Sequence, residues 1–397
     1  MIFSDRSLFD RQQNPLWMAL DRLLKKGNKI IDLTESNPTR CHFSYPSLWL
    51  KSLSGRKNLY YNPDPRGSIS ARRAIVRYYR GLGISLTPDQ LFLASGTSEV
   101  YHYLFNLILN RGDRLLVSSP GYPLLEHLAK INDVGIERFE YAYDGVRWRI
   151  DSDSLLRGIR RRPAAILVVN PNNPTGTYLD RDERLQLISM AGAAGLPIIA
   201  DEVFFDYRYR GRAPEARSFA SNRKSLTFTL NGLSKSVALP QLKLSWLVVT
   251  GPAGKVKEAA RRLEFIADAY LSVNTPVQNG LGVILRERSK IQSQVIKRAV
   301  LNRNFLLREL DRRLPEGELL QSEGGWYAIL RLPRIMTDDE WALTLLKREK
   351  VLAYPGHFFD LPVEAALVVS LIPPEPIFQK GVEKMIRLAN YFFSIIG

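Results

Sequence analysis

The sequence predicts an α/β protein: a large, mostly parallel sheet covered by helices on both faces, joined to a smaller α+β part. Three observations carry this. At 397 residues the chain is too long for one ordinary core, so two domains are expected. Between residues 91 and 249, short apolar runs alternate with amphipathic helical stretches. Beyond about residue 280 the alternation stops, and strands and helices segregate.

The strand-like runs are LFLA (91–94), RLLVSS (114–119), AAILVVN (164–170), LPIIA (196–200), SLTFTL (225–230) and LSWLVV (244–249). Between the first two, Val100, Tyr103, Leu104, Leu107 and Ile108 recur at helical spacing and share one face. After residue 280 come a long basic helix (about 283–312), GGWYAILRL, a helix near 338–349, VLAYPGHFFD, the run AALVVSLI and a last helix to about 395. Residues up to 44 read as irregular and are expected to pack with this part. The expected division is a large α/β domain over 45–279 and a small α+β domain from 1–44 plus 280–397.

Composition excludes several classes. A hydrophobic share of 45% and a charged share of 24% describe a soluble globular chain. No apolar run is long enough to span a bilayer, and MIFSDRSLFDRQQ lacks the apolar segment of a signal peptide. Cys41 is the sole cysteine, which excludes an internal disulfide or a cysteine-rich metal site and fits a cytoplasmic protein. His42, His102, His127 and His357 show no ligand spacing, so no metal is expected. A net charge of +16 suggests an anionic ligand. The basic residues are scattered, with clusters such as RRR at 160–162 that read as helix ends, and no nucleic-acid motif accompanies them. Neither nucleic acid nor membrane is an expected partner.

In parallel sheets, ligands bind beyond the carboxyl ends of strands, so the residues just after each run matter most. After LFLA, Ser95-Gly96-Thr97-Ser98 opens a helix: a helix cap, or an anion site of free N–H groups and hydroxyls. After RLLVSS, PGYP presents Tyr122, either packed on the core or open for stacking. After AAILVVN, PNNPTG holds Asn172 and Asn173, as turn chemistry or as an amide for a ligand oxygen. After LPIIA comes Asp201-Glu202, a surface strand end or a buried carboxylate that needs a cation. After SLTFTL comes Lys235, snorkelling to water or chemically used. One ligand explains all five together, pyridoxal 5′-phosphate: phosphate at the helix N-terminus, ring on Tyr122, phenolic oxygen at Asn173, pyridine nitrogen at Asp201, aldehyde on Lys235.

Across nearly its whole length the chain resembles the class I/II aminotransferases, fold type I of the pyridoxal-phosphate enzymes. NPNNPTG, DEVFFDY and NGLSK lie in the family's order and at similar separations; YYNPDPRGSISARRAI, ASGTSE, PGYP and YPGHFF support the match. The resemblance implies Lys235 as the Schiff-base lysine, Asp201 as the pyridine partner, Asn173 on the phenolic oxygen and Tyr122 as the stacking ring. It implies Gly96, Thr97 and Ser98 as phosphate ligands, and a homodimer in which Tyr61 reaches the phosphate of the other subunit. The implied function is amino-group transfer from an amino donor to a 2-keto acid.

Three positions depart from the family pattern. Phe204 stands where a tyrosine is usual, Lys243 where the family has a phosphate-binding arginine, and Val368 where it has the arginine that clamps the substrate carboxylate. The missing clamp leaves open a lyase or decarboxylase on the same cofactor. A non-enzymatic cofactor-binding regulator is the other alternative, though the region before the large domain has no helix-turn-helix pattern. Asn37 and Arg40, in ESNPTRCHF, are the substrate contacts expected near the site, with Trp326 and Val368 as apolar rests for a side chain.

Overall fold

The computed structural model describes residues 2–7, 14–213, 216–271 and 273–396. Eight strands form the main sheet: β1 (Leu91–Ala94), β2 (Arg114–Ser119), β3 (Gly135–Tyr143), β4 (Trp148–Ile150), β5 (Ala165–Val169), β6 (Ile198–Asp201), β7 (Thr227–Gly232) and β8 (Ser245–Thr250). Their spatial order is β1-β8-β7-β6-β5-β2-β3-β4. β3, β2, β5, β6 and β7 form a parallel block. β8 inserts antiparallel between β7 and β1. The segment joining β7 to β8 carries only two short helical turns, Leu233–Ser236 and Pro240–Leu242, and no helix that could cross the sheet to start a parallel strand.

β5, β6 and most of β2 and β8 are buried on both faces, and alternate residues feed two cores. Ile199, Leu167, Leu115 and Leu247 meet Val100, Leu104 and Leu263 of the helices Thr97–Ile108 and Ala253–Asp268. Ile198, Ile166, Leu116 and Trp246 meet Ile75, Leu187 and Leu281 of the helices on the other face. β3 and β4 are strands that a search for apolar runs passes over. In GIERFEYAY, Phe139 and Tyr141 are buried while Arg138 and Glu140 are exposed, the alternation of a sheet margin with one covered face.

The smaller part holds a four-stranded antiparallel sheet, β9 (Glu318–Leu319), β10 (Tyr327–Arg331), β11 (Tyr354–Pro355) and β12 (Ala366–Ser370), in the order β9-β10-β12-β11. The basic stretch expected as one helix over 283–312 is two, Thr275–Arg286 and Ser289–Arg313. Ile291 and Val295 of the second join the core of the large sheet, while Ala299, Leu306 and Leu310 join that of the small one, so this helix ties the two together. The first 44 residues are less irregular than expected: Pro15–Lys25 is helical, and Ile31–Asp32 pairs in parallel with Val351–Leu352. Among the described residues, no helix is long and apolar enough to cross a membrane.

The turn after β5 is locked by the smaller part. Glu323 N–H donates to Gly176 O at 3.1 Å, and the Glu323 carboxylate accepts from Tyr178 N at 2.8 Å and Thr177 Oγ1 at 3.1 Å. Gly176 has φ +68°, and a Cβ there would collide with the carbonyl of Gly324. Gly176→Ala is expected to destabilise the fold by roughly 2–4 kcal/mol, combining left-handed strain with a backbone clash. Gly192, on the helix Arg181–Ala193 with nothing within 4 Å of its Cβ position, is the control. Gly192→Ala should leave thermal unfolding unchanged or raise its midpoint. Equal midpoints for the two variants would contradict this account of the turn.

Candidate active site

The ends of β5, β6 and β7 lie level, because Asp201 is in register with Val169 on one side and Leu230 on the other. Polar residues that follow these strands therefore converge. A cavity of about 280 Å³ opens there, lined by Thr97, Ser98, Tyr122, Asn173, Asp201 and Lys235, with Phe204, Ser234 and Ser245. These residues come from six separate strand ends, five of them carboxyl ends and the sixth the start of β8 at Ser245.

Asp201 is buried. Its Oδ1 accepts from Val203 N at 3.0 Å and its Oδ2 from Tyr101 Oη at 2.6 Å. Burial pushes its carboxyl up, while these two bonds and the Lys235 charge pull it back. Glu202, next in the chain, serves the fold instead. It accepts from Ser218 Oγ at 2.5 Å and Phe219 N at 2.7 Å, and burial pushes its carboxyl up to about 8.

Lys235 sits on the one-turn helix Leu233–Ser236 that follows β7. Its Nζ is 4.8 Å from the Trp326 ring centroid and 5.4 Å from that of Phe204. Burial pushes its amine down to about 8, opposed by the Asp201 carboxylate. The two asparagines of the β5 turn divide their work. Asn172 holds the turn, donating to Pro120 O at 2.9 Å and accepting from Thr175 Oγ1 at 2.9 Å. Asn173 faces the cavity, and its Oδ1 is buried with no hydrogen-bond partner. Gly96 caps the helix Thr97–Ile108, and the space where its Cβ would stand is open.

The remaining expected residues are placed differently. Lys243 is exposed, at φ +50° two residues before Ser245, and does not line the cavity. Tyr61 is 72% exposed on the surface. Trp326 is fully buried and backs the cavity wall edge-on to Phe204 at 5.2 Å. Val368 is fully buried in β12, paired with Ile329 and Tyr354, and does not line the cavity. Asn37 caps the short turn after it, accepting from Thr39 N and Oγ1 at 3.1 and 2.7 Å; its neighbour Ser36 is the one at the cavity. Arg40 points to solvent, 3.5 Å from Glu35.

Sequence reasoning missed Tyr101, Arg138, Tyr327 and Asp360, which also line the cavity. Arg138 is the only arginine among the lining residues. It donates to Asp360 at 2.9 and 3.1 Å and to Glu126. Its position on an unexpected strand, 222 residues from Asp360, left no local signal.

Only a neutral amine attacks an acylating probe, so Lys235 labelling should rise through about pH 8, well before the surface lysines. Peptide mapping of ligand-free protein across pH 6–11 measures this. A midpoint near 10.5 would contradict the buried placement.

Residues 28–374 match the profile of the family described as aminotransferase class I and II. The chain is 28% identical over 389 residues to a glutamate-pyruvate aminotransferase, AlaA, of Haemophilus influenzae, covering 96% of this chain and 95% of that one. It is 28% identical over 400 residues to an alanine aminotransferase of Mycobacterium tuberculosis, covering 96% and 90%. An alanine aminotransferase structure from Pyrococcus furiosus is similar at a TM-score of 0.88 and 25% identity, over 98% of this chain and 100% of that one. The chain belongs to the aminotransferase class I and II family, as a fold type I enzyme that uses pyridoxal 5′-phosphate to move amino groups between small amino and keto compounds.

Proposed function

We propose that Lys235 anchors the cofactor covalently and moves the substrate α-proton, that Asp201 holds the pyridine nitrogen, and that the donor is a small apolar amino acid or amine and the acceptor a 2-keto acid. One observation carries the reading: a single cavity holds a half-buried lysine, a buried carboxylate and a buried amide oxygen without a partner. That donor set fits pyridoxal phosphate. The amide of Asn173 suits the phenolic oxygen, and Tyr122 suits the ring face. The N–H groups at Gly96, Thr97 and Ser98 open a helix N-terminus toward the phosphate. When bound, the cofactor supplies an electron sink for the bonds at the substrate α-carbon.

The chain's own contributions follow from the site. Lys235, with its amine pushed down to about 8, is neutral in a useful fraction near pH 7–8 and can accept a proton at Nζ and return it. The rings of Phe204 and Trp326 keep water from that nitrogen on one side. Lys243 and Tyr61 are proposed to reach the phosphate, Tyr61 from a second copy of the chain. A homodimer is supported by the exposed apolar side chains of Leu48, Leu50, Leu59, Tyr60 and Tyr61. The large domain over 45–279, the small domain from 1–44 plus 280–397, and a cytoplasmic location complete the reading.

The donor class follows from charge. The cavity's one arginine is already held by two carboxylates, Asp360 and Glu126. A dicarboxylic donor would meet no free guanidinium among the described lining residues, while Val117, Leu125 and Leu167 offer apolar contact. The relatives named for alanine make alanine the first donor to try. Alanine and apolar amines should convert bound cofactor to its amine form, and an added keto acid should reverse this. Aspartate should bind about tenfold or more weakly, for want of a charge-assisted bond. Lys235→Ala should lower turnover by about a thousandfold or more. A tight, fast reaction with aspartate would overturn the donor class, and donor turnover without any keto acid would favour a lyase.

A further inference from the structure

The Asp201 carboxylate accepts two hydrogen bonds from the protein, and only one comes from backbone. The other comes from the Tyr101 hydroxyl at 2.6 Å, and both side chains are buried. A carboxylate has about four acceptor positions, so these two bonds orient it and leave room for a ligand donor. Tyr101 stands on the helix Thr97–Ile108, one turn after Thr97 and therefore on the same face. Thr97 and Tyr101 both line the cavity. One rigid helix thus carries the expected phosphate cradle at its first turn and the partner of Asp201 at its second.

We propose that Tyr101 is a positioning residue for the cofactor: its hydroxyl aims Asp201 at the pyridine nitrogen and keeps it a carboxylate, at a spacing from the phosphate cradle fixed by the shared helix. The proposal rests on the assignment of Asp201 made above. Burial and the neighbouring Asp201 push the Tyr101 hydroxyl well above its ordinary range, so it stays a donor. The other groups facing this pair are Lys235 beyond β7 and Tyr122 beyond β2; Glu202 turns away to Ser218 and Phe219. Removing the hydroxyl takes a bond from the charged form of Asp201, so its protonation moves to higher pH.

The test is binding by the cofactor-free enzyme, read as quenching of protein fluorescence between pH 5.5 and 8.5. Two probes are used: pyridoxal 5′-phosphate and its 1-deaza analogue, which lacks the ring nitrogen. The parent should bind pyridoxal phosphate more tightly than the analogue. In Tyr101→Phe that advantage should shrink about tenfold at pH 7, the loss of one hydrogen bond to a charged group, with weakening on acidification starting at higher pH. Affinity for the analogue should be unchanged. A variant that keeps the parent's advantage and pH profile overturns the proposal. So does a variant that loses affinity equally for both probes, since that is a packing effect of the ring. A parent that binds both probes equally overturns the assignment of Asp201 itself, and the proposal with it.

Discussion

Two opposite charges are drawn into the protein beyond neighbouring strands, Asp201 buried at the close of β6 and Lys235 half-buried one turn past β7. Each is costly to bury alone, and the rest of the large sheet is arranged around keeping both. Two faces of helix-covered apolar side chains deliver the strand ends to the interior. The parallel register of β5, β6 and β7 sets those ends level, so the residues that follow them share one cavity. The adjacent carboxylates make the contrast plain. Glu202 turns to Ser218 and the backbone of Phe219 and does not line the cavity, whereas Asp201 lines it beside a lysine.

The smaller part completes the site by closing over it. The turn around Glu323 and Gly324 locks the asparagine turn, and Trp326 behind it forms a wall beside Lys235. The turn Gly356–Phe359 docks on the end of β2. Gly121 N donates to Phe359 O at 2.9 Å, and Ser119 Oγ to Asp360 O at 3.2 Å. Asp360 then holds Arg138 across the two parts. That ion pair removes the cavity's one guanidinium from the pool of free cations, which is why charge bears on the donor.

Much of this was legible because burial on both faces writes itself as an apolar run, and a polar residue just past such a run has few reasons to be there. Lys235, Asp201 and Asn173 were found in this way, and all three line the cavity. What stayed hidden depended on contacts distant in sequence or on alternation. β3 is a margin strand with one exposed face, so its alternating pattern was passed over, and Arg138 with it. Tyr101 lies on the face of a helix read only for its apolar period; its place one turn after Thr97 was the available signal. Trp326 and Val368 are fully buried: Trp326 packs edge-on against Phe204 and Tyr207 behind the cavity, and Val368 lies in β12 between β10 and β11. Arg40 faces solvent because the short turn Pro38–Arg40 ends with its side chain beside Glu35.

The central claim is that the amine beyond β7 is the one that bonds the cofactor. Reducing the cofactor-loaded enzyme with borohydride fixes the cofactor to whichever lysine carries it, and mass mapping of the digest reads the position. The account predicts a phosphopyridoxyl mass on the peptide at Lys235 and on no other. Finding it on Lys243, or finding none on Lys235 in enzyme that holds the cofactor, would contradict it.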